Sequence, residues 1–362
     1  MQNKDIEKKI ISMVQKALQK PNAPKLLEYH PPEELKQILD LDASHGDESW
    51  DTIFDTTEKY IKYSVNTHNK QYFNQMWNGG SLPSRIGEII TACMNTSMYT
   101  YNVAPVATLI ERWMIKKLLS ILEFQNGEGI MNTGSSNGNQ IALLMAKNER
   151  HPEVKEQGIY KQKPLRAYIN VDAHYSFDKA MNVLGLGTNN LVKIPTDNSG
   201  KMDLNILVQK IEEDLKTGKQ PFFIGATACT TVRGSYDPID KLLAIKKKYN
   251  LWLHTDGAWG GVAFLHPELR KKYVHGIEAI DSFTFDAHKM LSVPLICSFL
   301  FINNKKGLLG KTCDIGDSSY IFHEENESYD LGPNSLQCGR RVDILKFYLE
   351  WQYYGKLGIE KR

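Results

Sequence analysis

Between residues 166 and 303, short apolar runs alternate with longer segments in which apolar residues recur every three or four positions. The runs are RAYINVD (166–172), PFFIGATA (221–228), LWLHTD (251–256), SFTFD (282–286) and CSFLFIN (297–303). Each has strand length, is rich in apolar, β-branched or aromatic residues, and is bounded by turn formers, so each predicts a strand. MDLNILVQKIEEDLK (202–216) and IDKLLAIKKKY (239–249) carry the helical period instead. Strand–helix–strand alternation predicts an α/β fold, with a mostly parallel sheet flanked by helices on both faces.

The ends of the chain read differently. Residues 1–66 form a polar, helical N-terminal segment, with Ile6, Ile10, Val14 and Leu18 at helical spacing. KPNAPK breaks that segment as a linker, and PPEEL reads as a helix start with proline in the first turn. Residues 67–310 hold the alternating α/β pattern. Residues 311–362 begin with a polar stretch, KTCDIGDSSYIFHEENESYD, and then enter a helix predicted over RRVDILKFYLEWQYYG (340–355).

Composition narrows the partners. With 44 basic and 42 acidic residues among 362, the net charge of +2 gives no electrostatic case for nucleic acid or an anionic membrane. No apolar stretch approaches membrane-spanning length, and the N-terminal pattern lacks the unbroken apolar region of a signal peptide. The five cysteines are scattered without CxxC pairing or metal-ligand spacing. They read as reduced thiols, with no metal site, in a cytoplasmic protein.

In open α/β sheets ligands bind beyond the carboxyl ends of the strands. The predicted strands end in Asp172 and His174, in Thr227, Thr230 and Thr231, in Asp256, and in His288 and Lys289. A further segment, GIMNTGSSNGNQIALLMAKN, places Ser135, Ser136 and Asn137 at a helix start, where free N–H groups and the helix dipole favour a phosphate. Taken singly, each has a bland reading: a surface lysine, a turn aspartate, a structural histidine, an ordinary N-cap. Together at one sheet edge they meet the needs of pyridoxal 5′-phosphate. Its aldehyde requires an amine, its ring nitrogen a carboxylate, its flat ring a stacking partner and its phosphate a helix start.

The stretches NLWLHTDGAWGG, SFTFDAHKML, DAHYSF and LQCGRRVDILKFYLEW resemble the group II pyridoxal-phosphate amino-acid decarboxylases. YFNQMWNGG, YTYNVAPVATLIE and GATACTTVRGSYDPI resemble the glutamate, cysteine-sulfinate and aspartate decarboxylase branch in particular. The resemblance implies the large domain of a fold-type I pyridoxal-phosphate enzyme. It implies Lys289 as the Schiff-base lysine, Asp256 as partner of the ring nitrogen, and His174 and Ala258 on opposite ring faces. Ser135, Ser136, Asn137 and His288 would lie at the phosphate and Thr231 near the cofactor. Tyr320 matches a loop tyrosine that protonates the α-carbon after carbon dioxide leaves. Asp286 stands where the family usually has an asparagine, an acid beside a dianion that must point away.

For the substrate, Asn74 and Gln75 match the stretch that reaches the distal acid group, and Trp77 is expected to shorten the pocket. The resemblance therefore implies decarboxylation of an L-amino acid, with a short acidic one favoured over glutamate, by a homodimer. It also implies a small C-terminal domain that does not follow Arg362, so a remnant that binds cofactor without turnover is one alternative. Another enzyme on the same fold, such as an aminotransferase, is a second.

Overall fold

The computed structural model describes residues 3–19, 25–41, 49–314, 321–322 and 327–361. They fall into two compact units, Met1–Gly80 and Ser81–Arg362. The first unit holds the helices Asn3–Gln19, Pro32–Leu39 and Trp50–Tyr63. Proline opens the second of these, where its missing N–H would have had no helical partner. Ile6 and Met13, seven residues apart, bury against Phe54. Ile10 and Val14 share the apolar period but remain exposed. One packed neighbour covers a strip narrower than the whole apolar face.

The second unit is built on a seven-stranded sheet: β1 (Glu128–Asn132), β2 (Leu165–Asn170), β3 (Leu191–Ile194), β4 (Gln220–Thr227), β5 (Trp252–Asp256), β6 (Ser282–Asp286) and β7 (Ser298–Ile302). Their order is β1-β7-β6-β5-β4-β2-β3. From β6 to β3 every pairing is parallel, whereas β7 runs antiparallel to both β6 and β1. The sheet is thus mostly parallel, as the alternation predicts. The short strands β1 and β3, and the reversed direction of the predicted strand β7, are what the apolar runs did not reveal.

Alternate strand residues serve opposite faces. Tyr168, Ile224, Leu253, Phe283, Phe285, Phe299 and Phe301 belong to one core, which the helices Pro105–Leu122, Leu204–Lys216, Ile239–Tyr249 and Ile344–Glu360 cover. Ala167, Ile169, Phe223, Trp252, Leu300 and Ile302 belong to a second core, beneath the helices Ser135–Arg150 and Ser176–Val183. On this second face β5 and β6 also carry His254, Ser282 and Thr284, all buried. A polar layer therefore lies inside an otherwise apolar interface, close to the strand ends.

Helix ends differ from their predicted positions where a side chain captures the backbone. The helix expected from Met202 begins at Leu204, because Asp203 accepts hydrogen bonds from the N–H groups of Asn205 and Ile206. The helix expected from Arg340 begins at Ile344. Arg340 and Arg341 are instead drawn into ion pairs with Glu111 and Glu88. No described helix is long and apolar enough to cross a membrane.

Candidate active site

The helix start beyond β1 is shaped by two glycines. Gly134 has φ +114°, a left-handed conformation that lets the chain turn from strand into helix. Gly138, one turn on, faces the sheet so closely that a Cβ there would lie 2.6 Å from Thr284 Oγ1 and 2.8 Å from Asn132 Nδ2. This contact seats the helix Ser135–Arg150 directly on β6. Its first residue then meets the end of that strand: Ser135 donates from its backbone N–H (3.2 Å) and from Oγ (2.7 Å) to Asp286 Oδ1.

At the end of β5, Asp256 is 4% exposed and accepts hydrogen bonds from Asn139 Nδ2 (2.7 Å) and the Ala258 N–H (3.0 Å). Among the described residues no cation lies within ion-pair distance of it. Lys289 follows β6, with Nζ 3.2 Å from Asp286 Oδ2. His288 Nε2 is 3.6 Å from the same carboxylate oxygen, and its Nδ1 lies 3.0 Å from both the amide nitrogen and the carbonyl oxygen of Cys297. Burial lowers the pKa of His288, against the pull of Asp286. His174 accepts the Ser176 N–H at Nδ1 (3.2 Å), so as a neutral ring it carries its proton on Nε2. Burial lowers its pKa too, with Asp256 acting in the opposite sense.

These groups line one cavity of about 270 Å³. Its wall brings together Ser135, Ser136, His174, Thr231, Asp256, Ala258, His288 and Lys289. Asn137, grouped with the two serines by sequence, is not on this wall. At 3.6 residues per turn it sits about 200° round the helix from Ser135, off the arc that Ser135, Ser136 and Asn139 share. Asn74, Gln75 and Trp77 lie in the first unit, where Asn74 Oδ1 accepts the Met76 N–H at 2.7 Å and so closes a turn. Tyr320 lies outside the described residues. The strand-end Asp172 pairs with Arg233 (3.2 Å) and is also absent from the cavity wall.

The wall also contains groups that sequence reasoning did not single out as site residues: Asn139, Cys229, Trp259 and the Leu295–Ile296 pair. The signal for Asn139 was its position four residues after Ser135, on the same helix face. Thr227 also reaches the wall, and its Oγ1 is buried without a hydrogen-bond partner among the described residues. A buried, unpaired hydroxyl beside a cavity is a place for a ligand's polar atom.

A family model described as "Pyridoxal-dependent decarboxylase conserved domain" matches residues 32–362. The acidic amino acid decarboxylase GADL1 of Homo sapiens is 37% identical over 341 residues, 93% of this chain and 65% of its own length. The cysteine sulfinic acid decarboxylase of Homo sapiens is 36% identical over 355 residues, 97% of this chain and 72% of its own. The crystal structure of mouse CSAD superposes with a TM-score of 0.93 at 34% identity, covering 99% of this chain and 75% of that one. The chain thus spans just under two thirds of the length of the human GADL1 it matches.

Proposed function

The chain belongs to the group II pyridoxal-phosphate decarboxylases, and from that premise we propose that it removes the α-carboxylate of a short acidic L-amino acid, yielding carbon dioxide and the amine. One observation carries the proposal: a lysine amine and a buried carboxylate without a cation share the wall of a single cavity beside a helix start. Related proteins of similar sequence are named for acidic amino acids and for cysteine sulfinic acid.

The cofactor of the family is pyridoxal 5′-phosphate, and the wall fits it. The orphaned Thr227 hydroxyl and the uncompensated Asp256 carboxylate each need a partner of the kind it offers. When bound, the cofactor supplies a conjugated ring that takes up the electron pair left behind as carbon dioxide departs. Lys289 would hold the cofactor's aldehyde carbon, and Asp256 would keep a proton on its ring nitrogen. His174 and Ala258 would bound its two faces. Ser135, Ser136 and His288 would meet the phosphate, with Asn137 and Thr231 nearby. A lowered pKa suits His174 to this position, since a neutral ring stacks without repelling a ring that carries positive charge.

Three roles rest on the resemblance alone. Tyr320 would return a proton to the α-carbon, a task suited to a phenol whose ordinary pKa is about 10. Asn74 and Gln75 would donate amide hydrogens to the distal acid group, and Trp77 would shorten the pocket toward aspartate or cysteine sulfinate. A site built around such bonds rejects analogues that lack the acid.

We also propose a cytoplasmic homodimer. Val106, Leu109, Trp113, Tyr353 and Leu357 leave apolar surface exposed on two long helices, as a second copy would require. Light scattering should give twice the 41.3 kDa chain mass, and a monomer would overturn this.

The activity test supplies pyridoxal phosphate with aspartate, cysteine sulfinate and glutamate in competition. Carbon dioxide and amine are expected. Borohydride should fix the cofactor on Lys289 and fail to do so in Lys289→Ala. A keto acid product, or a label on another lysine, would overturn the mechanism. Preference for an aromatic or basic amino acid would overturn the substrate class.

A further inference from the structure

Within the polar layer beneath the helix Ser135–Arg150, His254 and Ser282 belong to one chain of hydrogen bonds. Trp252 Nε1 lies 2.8 Å from Ser282 Oγ, which lies 2.8 Å from His254 Nδ1. His254 Nε2 lies 2.8 Å from Asn139 Oδ1, and Asn139 Nδ2 lies 2.8 Å from Ser176 Oγ and 2.7 Å from Asp256 Oδ2. His254 and Ser282 are fully buried, and Asn139 is 1% exposed.

The direction of the bonds follows from the Asp256 end. An ionised Asp256 can only accept, so Asn139 turns its NH₂ toward it and its oxygen toward His254. His254 Nε2 must then carry a proton. Complete burial pushes the His254 pKa down to about 3, so its Nδ1 is bare and accepts from Ser282. Ser282 in turn accepts from the indole of Trp252, which can only donate. The Trp252 end is compatible with these directions, since Ser282 can accept from the indole while donating to His254.

We propose that Asn139, His254 and Ser282 are positioning residues: a directed relay, anchored on Trp252, that locks the Asn139 amide so that it always presents a donor to Asp256. Without the relay, the amide is free to rotate and turn its oxygen on the carboxylate. Asp256 then loses a donor, and its grip on a protonated ring nitrogen weakens. The proposal rests on the role given to Asp256 above and extends that role three residues into the core.

The test measures dissociation constants of the full chain for pyridoxal 5′-phosphate and for its 1-deaza analogue, which has a carbon in place of the ring nitrogen. The unsubstituted chain should prefer the natural cofactor. His254→Leu should weaken binding of the natural cofactor about tenfold, the loss of roughly one hydrogen bond to a charged acceptor. It should leave the analogue unchanged, and His254→Gln should restore the preference. Ser282→Ala, which opens a smaller gap, should shift the same preference less and decides the matter if His254→Leu does not fold. Equal loss for both ligands, or an unchanged preference, would overturn the relay. If the unsubstituted chain binds both ligands alike, the role of Asp256 fails, and the relay fails with it.

Discussion

Two buried aspartates on this sheet unit differ in what surrounds them. Asp214, on the helix Leu204–Lys216, is closed: its carboxylate accepts from Arg166 Nε (3.0 Å), the Tyr168 hydroxyl (2.8 Å) and Lys219 Nζ (3.1 Å). Burial works against its charge, yet the bonds from Arg166, Tyr168 and Lys219 hold its carboxyl below the ordinary aspartate range. Asp256 is equally buried but, among the described residues, accepts hydrogen bonds only from an amide and a backbone N–H, and it faces a cavity. A buried carboxylate without a cation is expensive to keep charged. The difference teaches that Asp214 serves the fold, whereas Asp256 has the surroundings that its proposed role, holding a positive partner from outside, requires.

The comparison breaks first at Asp256. Asp256→Ala should lower turnover by about 10³-fold, on the scale of losing one preorganised electrostatic contact. It should cost only about 1–2 kcal/mol of stability, because two donors are left unpaired. Denaturant unfolding and steady-state kinetics on the same preparation separate the two effects. A stability loss larger than that of Asp214→Ala would refute the contrast.

Asp214→Ala is the mirror experiment. It strands Arg166, and should destabilise by about 3 kcal/mol, the low end for a broken buried pair because Lys219 reaches solvent. Turnover per folded molecule should be unchanged. Since the folded-state pKa of Asp214 is lowered, its contribution is present above the ordinary aspartate pKa and lost as pH falls through the folded value. Acid unfolding of the variant should accordingly be less steep.

Gly138→Ala probes what holds the helix start in place. A Cβ placed 2.6 Å from Thr284 Oγ1 must push the helix off β6. Overpacking of this kind costs about 2 kcal/mol. Affinity for pyridoxal phosphate should fall more than affinity for pyridoxal, because the displaced element carries the donors proposed for the phosphate. Equal losses for both ligands would mean that this helix start does not meet the phosphate.

Much of this site could be read from the sequence because its residues punctuate strands. Asp256, His288 and Lys289 each follow an apolar run, and that break in pattern is visible. Asn139 and His254 were not legible as a pair, since an asparagine inside a helix and a histidine inside an apolar strand show nothing of their mutual contact. The reversed direction of β7 was equally hidden in its own residues. The link from Asp286 to Ser298 does hold no crossover helix, as an antiparallel neighbour allows. Asn137 was drawn into the site by proximity in sequence, and helical geometry separates it from Ser135 and Ser136 on the cavity wall.

The smallest effect concerns Asp286, which stands between the two aspartates in character. Its Oδ1 is satisfied by Ser135 as if it were structural, while its Oδ2 faces Lys289 on the cavity wall. A phosphate brought to the Ser135 helix start would share that region with a buried carboxylate. Lys289 offsets the repulsion only while its ammonium is free. Asp286→Asn keeps an oxygen for Ser135 and removes the charge, so it should tighten pyridoxal phosphate binding by about 1 kcal/mol, roughly fivefold. Pyridoxal, lacking the phosphate, should bind the variant and the unsubstituted chain alike. The gain should shrink as salt is raised, to the extent that the cavity is open to counter-ions. Weaker binding in the variant would show instead that the Asp286–Lys289 pair holds the amine in position, and would move Asp286 from the closed kind of aspartate to the working kind.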